Sequence, residues 1–174
     1  MKKRLAFISL FMALIILVSM PASTLAAKPV PFGTTGVVTY LSPGTVFPAG
    51  ESDRWVVVER ELQGTFLSGD INGNFTMAYS ANVKLATQAG NLHGTLKSGA
   101  FVFKLNGKIL PLELVPTPIG VNLPKLTING HWTATDGTQG EGSFEAWVIF
   151  IPTPDGHVGS IVASGINLSG SRQP

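Results

Sequence analysis

Between Asn74 and Lys84 the chain alternates without a slip. Phe75, Met77, Tyr79, Ala81 and Val83 fall on one face, and Thr76, Ser80, Asn82 and Lys84 fall on the other. Successive side chains of an extended strand point to opposite faces, so this pattern specifies a half-buried β-strand. Residues 125–135 repeat it, with Leu126, Ile128 and Trp132 opposed to Thr127, Asn129, His131, Thr133 and Thr135. Further strands are expected at 36–41, 54–60, 62–67, 91–97, 100–105, 108–115, 143–151 and 159–168. Asn106-Gly107, Asp136-Gly137 and Asp155-Gly156 read as tight hairpin turns, which need the positive φ angles that Gly and Asn tolerate. Beyond residue 27 no window of helical length carries a 3.6-residue period.

Strands joined by short turns pair mainly with their antiparallel neighbours. About eight to ten of them in a chain of this length predict an all-β domain, a mainly antiparallel β-barrel. The alternative is a two-layer β-sandwich. Gly64, Gly69, Gly73, Gly94, Gly130 and Gly165 lie in or beside the expected strands and favour the barrel, because glycine permits sharp bends at barrel corners.

The N-terminus has a different character. Lys2, Lys3 and Arg4 precede an apolar run over 5–18, and Pro21 is followed by small residues up to Ala27. A cationic start, a short apolar core and a small-residue exit make residues 1–27 a secretory signal peptide, with cleavage expected after Ala26 or Ala27. The apolar run falls short of the roughly 20 residues that a spanning helix needs. Residues 28–174 are therefore expected to form a single all-β domain, secreted or extracytoplasmic (extracellular or periplasmic), with no membrane span after cleavage. The chain has no cysteine, which excludes disulfides, thiol catalysis and thiolate-bound zinc.

Removal of the signal also reverses the charge balance. Three of the twelve Lys and Arg residues lie in it, leaving nine cations against ten carboxylates. No basic cluster remains, so a nucleic-acid partner is not expected.

Chemistry is sparse in this sequence. There is no Gly-x-Ser-x-Gly elbow, phosphate loop or dinucleotide fingerprint, and no cofactor is expected. Asp70-Ile71-Asn72-Gly73-Asn74 opens like the calcium loops of EF-hands and dockerins. Phe75 then stands where the loop needs glycine, and Ala81 where it needs a bidentate Glu, so the segment reads as a turn. His93, His131 and His157 show no short ligand spacing, and no metal site is expected. Asn74 and Asn167 fit the acceptor pattern for N-glycosylation.

Two carboxylates draw notice. Glu59 shares a strand face with Trp55 and Val57, and Glu145 shares one with Trp147 and Ile149. Inside an apolar barrel either would serve an isomerase or hydrolase as catalytic residue. The preferred expectation is non-enzymatic, a barrel that binds a small, largely apolar ligand. Trp55, Tyr79, Phe101, Phe103 and Trp132 would line its interior. Leu114 and Val121, from the proline-rich segment 110–124, would extend that wall at the mouth. A cell-surface or extracellular structural or interaction protein is the alternative, using strand edges or apolar loops.

Overall fold

The computed structural model describes residues 28–49, 54–117, 120–154 and 158–173. The expected signal peptide and the Asp155-Gly156 turn lie outside the described residues. Ten strands form: β1 (Val30–Leu41), β2 (Thr45–Pro48), β3 (Trp55–Gly69), β4 (Gly73–Lys84), β5 (Ala89–Ser98), β6 (Phe101–Ile109), β7 (Glu113–Pro116), β8 (Asn122–Ala134), β9 (Gln139–Pro152) and β10 (Val158–Gln173). There is no helix among the described residues.

Each long strand lies antiparallel to the next, and the order β1-β10-β9-β8-β6-β5-β4-β3 is closed by a β1–β3 pairing. The result is an eight-stranded up-and-down barrel. Because β1 is bonded to both β10 and β3, there is one closed sheet and not the two layers of a sandwich. The other two strands are extensions. β2 continues the line of β1 along β3, and β7 continues the line of β6 along β8.

Closure requires stagger. Lateral partners can be followed from Thr34 through Leu168, Phe144, Gly130, Gly107, Leu92 and Ala81 to Val58. The path then returns to Val46, about a dozen residues beyond its start, as it must in a barrel of strongly tilted strands.

The alternation seen in the sequence decides what faces inward. Phe75, Met77, Tyr79, Ala81 and Val83 are all buried, and the intervening residues of β4 are exposed or half-buried. The inward residues form one continuous apolar core.

Two expectations about chain breaks are corrected. Residues 54–60 and 62–67 belong to a single strand, β3. Asn106-Gly107 is not a turn but lies inside β6, with Gly107 opposite Gly130 of β8. The reason is steric. A Cβ on Gly107 would stand 2.1 Å from the Asn129 carbonyl oxygen, and one on Gly130 would stand 2.2 Å from that of Asn106. These glycines let two backbones converge where the sheet coils most tightly. By contrast, Gly137 (φ 90°) does turn the chain between β8 and β9, and Gly69 and Gly73 bracket the turn at Asp70.

Candidate functional site

The two ends of the barrel differ in chemistry. At the end where β1 begins and β10 finishes, the interior is filled by rings. Trp132 is 0% exposed and makes edge contacts with Phe32 and Phe103, both at 5.1 Å between centroids. Its indole lies over Gly142 and Gly170, where any Cβ would strike it, and its Nε1 donates to the Ser169 carbonyl at 3.2 Å. Phe66 packs on Phe75 at 4.7 Å nearby.

This end is sealed by Arg172, whose guanidinium lies 4.6 Å over the Phe101 ring, with Phe32 and Phe103 close by. Its Nη2 donates to Asp136 Oδ2 at 2.8 Å and to Thr138 Oγ1 at 2.5 Å. Asp136 also accepts from the Thr138 hydroxyl and N–H and from the Val102 N–H. Burial opposes ionisation of Asp136. The Thr138 and Val102 hydrogen bonds and the Arg172 charge together outweigh it, and hold the carboxyl below its ordinary value.

The opposite end is built differently. Its inward residues are mostly smaller and aliphatic: Val56, Val58, Ala81, Val83, Ile109 and Leu126, with Phe150 the one ring. Val56, Leu126, Val158 and Ile161 are only partly buried. The wall is also incomplete here. β1 and β10 are paired from Val30 to Gly36, after which the Ser164 hydroxyl holds both the N–H and the carbonyl of Val38. Beyond that clamp, no backbone pairing joins β1 or β2 to β10 among the described residues.

Only two inward-facing residues of the described strands carry a charge, and they have opposite circumstances. Arg172 has its carboxylate. Arg60 projects from β3 between the buried Val58 and Leu62, directly opposite Tyr79 of β4. Its Nε donates to the Pro43 carbonyl at 3.2 Å, at the bend between β1 and β2. No carboxylate pairs with its terminal nitrogens among the described residues, and the guanidinium lies beside the Tyr79 hydroxyl. Glu59 and Glu61 flank Arg60 in sequence and therefore point to the outer face, where Glu61 accepts from Gln63. The hydroxyl of Tyr79, a residue 4% exposed, is buried without a hydrogen-bond partner. Burial raises its pKa, and the Arg60 guanidinium beside it, through its charge and through hydrogen bonding to the ionised oxygen, offsets only part of that rise.

The residues singled out from sequence do not converge. Phe101, Phe103 and Trp132 belong to the sealed end, and Tyr79 lies inside the barrel beside Arg60. Trp55, expected in the interior, stands on the outer face at the open end and is 40% exposed. Leu114 and Val121 reach that same end, 65% and 50% exposed. Glu59 and Glu145 both face outward. Glu59 is aligned with Ser80 and His93 across three strands, but no hydrogen bond links them among the described contacts. These residues, with Tyr40, Glu61 and Gln63, edge an open outer groove of about 790 Å³, to which Arg60, Tyr79 and Gly94 also contribute. Glu145 stands between Asn129 and Asn167, with neither a second carboxylate nor a histidine as lateral partner.

Sequence reasoning missed Arg60. Its signal was present, since Val56, Val58, Leu62, Gly64 and Phe66 continue one face through position 60. The unbroken apolar run Trp55–Val58 concealed which face that was. Comparison with protein-family models, with curated proteins and with solved structures finds no match to this chain.

Proposed function

We propose that the chain is an exported, non-enzymatic barrel that binds a small, largely apolar molecule through its open end. The observation that carries this reading is the change of side-chain size along the interior. Six phenylalanines and Trp132 fill the sealed end, whereas small aliphatic groups, some of them solvent-accessible, line the other. A blind-ended apolar barrel offers a guest one way in, and its partly buried upper wall is the surface the guest would cover. The proline-rich segment adds to this. β7 runs along β8 at the open rim, and Pro116 and Pro124 limit its conformational freedom, so little entropy is lost on closing over a guest.

A saturable site for an environment-sensitive hydrophobic dye on the folded protein is the expected result. Leu114→Ser and Val121→Ser should weaken dye binding more than folding. Dye bound only by unfolded protein would overturn the reading.

One observation favours a second reading, assembly through the same end. Nine of the twelve exposed large apolar side chains described lie there, among them Val46, Phe47, Trp55, Leu85, Leu114 and Ile151. A patch of that kind marks interaction surfaces. Assembly predicts that the two serine variants change oligomer size in light scattering, with no saturable dye site to lose.

A further inference from the structure

The geometry points to a carboxylate on the ligand, held by Arg60 and the Tyr79 hydroxyl inside the barrel, so that the guest is an apolar-chain carboxylic acid. This rests on the reading of the barrel as a binder of apolar molecules, and it names the head group.

The two inward arginines differ in what surrounds them. A guanidinium drawn out of water is costly unless a counter-charge and hydrogen-bond acceptors replace the solvent. Arg172 meets the charge requirement with Asp136 at 2.8 Å and three rings around the cation, although its Nε is buried without a hydrogen-bond partner. Arg60 is half-buried, and no carboxylate reaches it among the described residues. Its Nε donates to the Pro43 carbonyl. That bond leaves the two terminal nitrogens, beside the Tyr79 hydroxyl, to present the planar fork that pairs bidentately with a carboxylate.

Tyr79 supplies an independent observation. A buried hydroxyl without a partner forfeits the hydrogen bonds it would make in water, and native structures seldom leave one so. Tyr79 lies opposite Arg60 on the neighbouring strand, with Gly94 on its other side, where a Cβ would come within 2.8 Å of the Tyr79 Cβ. Glycine there leaves the tyrosine unopposed across that pair. Two donors, one charged and one neutral, thus meet in a largely apolar interior with no carboxylate provided among the described residues. A carboxylate would accept from the Arg60 terminal nitrogens and from the Tyr79 O–H. Its hydrocarbon part would extend toward Val58, Ala81, Val83 and the open end. The head needs no proton transfer, since an ionised acid meets a guanidinium that is always charged.

The test compares a fluorescent long-chain carboxylic acid with its methyl ester on wild-type protein, R60Q, R60K and Y79F. Wild type should bind the acid about tenfold or more tightly than the ester, the ratio expected for charge-assisted hydrogen bonds. R60Q should bring that ratio close to one, chiefly by weakening binding of the acid. R60K, which keeps the charge but not the fork, and Y79F should each reduce it in part. If neither probe binds saturably, the ligand-binding reading fails and this inference with it. If both bind wild type equally, or R60Q keeps the preference, the carboxylate assignment alone fails. Should R60Q not fold, the ratio in Y79F decides, and a ratio equal to wild type overturns the assignment.

Discussion

Replacing Asp136 by Asn removes one charge from the sealed end while keeping nearly the same shape. The carboxylate receives four donors: the Thr138 hydroxyl at 2.6 Å, Arg172 Nη2 at 2.8 Å, the Thr138 N–H at 3.2 Å and the Val102 N–H at 3.4 Å. An amide can satisfy the Thr138 pair with its oxygen, but it then turns an NH2 group toward Arg172 and Val102, donor against donor. The Asp136 and Arg172 side chains are 8% and 11% exposed. Breaking a buried pair by removing one partner costs about 3–5 kcal/mol, and a site near the barrel end belongs at the lower figure. A loss of about 3 kcal/mol should lower Tm by roughly 10 °C for a domain of this size. The pH dependence gives a sharper check. Asp136 titrates lower in the folded protein than in the unfolded chain, so its contribution is complete above the unfolded pKa of about 3.9. It is lost as pH falls through the folded value. Urea unfolding followed by tryptophan fluorescence should therefore separate wild type and D136N at pH 7, and the two should converge in acid. A difference at pH 7 below about 0.5 kcal/mol, or one that persists unchanged into strong acid, would refute the argument.

Met77→Asp should destabilise by several kcal/mol because it buries an unpaired charge between Leu62 and Leu96, whereas Ser80→Asp, on the outer face of the same strand, should shift stability by only about 0.5 kcal/mol. Equal effects in denaturant titrations would contradict the inward assignment of β4. Gly142→Ala places a methyl 2.0 Å from the Ser169 carbonyl and 2.7 Å from the Trp132 indole nitrogen. It should cost about 3 kcal/mol by forcing the core apart, seen as a lower denaturation midpoint and a changed Trp132 fluorescence. Gly73→Ala meets nothing within 4 Å and bears only the strain of its positive φ (104°), so a loss of about 1 kcal/mol is expected in the same assay.

How much of this could be read from the sequence depended on local phase. In β4 and β8 the alternation is strict, and the inward faces follow directly from it. In β3 the run Trp55-Val56-Val57-Val58 is apolar on both faces, which hides the phase just where Arg60 enters the barrel. Glu59 then reads as the residue on an apolar face, although the interior belongs to its neighbour. Asn106-Gly107 misleads for a related reason. The dipeptide has the composition of a hairpin turn, but Gly107 is needed for close backbone approach, a property of the rolled sheet and not of the local chain. The Asp136–Arg172 pair lies further from view. The two residues are 36 apart, and they meet only because the β9 and β10 register carries Arg172 back beside the β8–β9 turn. No spacing rule connects them.

The up-and-down topology has a consequence for the order of assembly. Most strand pairs join neighbours in the sequence, so hairpins can form as the chain lengthens, each closing only a short loop. The most distant pairing is that of β10, which bonds back to β1, ties Ser164 to Val38 across 126 positions, and carries Arg172 to the sealed end. A chain emerging N-terminus first therefore holds β1 with an unpaired edge, and the aromatic floor without its cation, until β10 has appeared. Folding here behaves like a zip whose final tooth is also its lock. A stop just short of Gly170 would take away the cation and the Val30–Phe32 part of the seam, and leave the aromatic floor open.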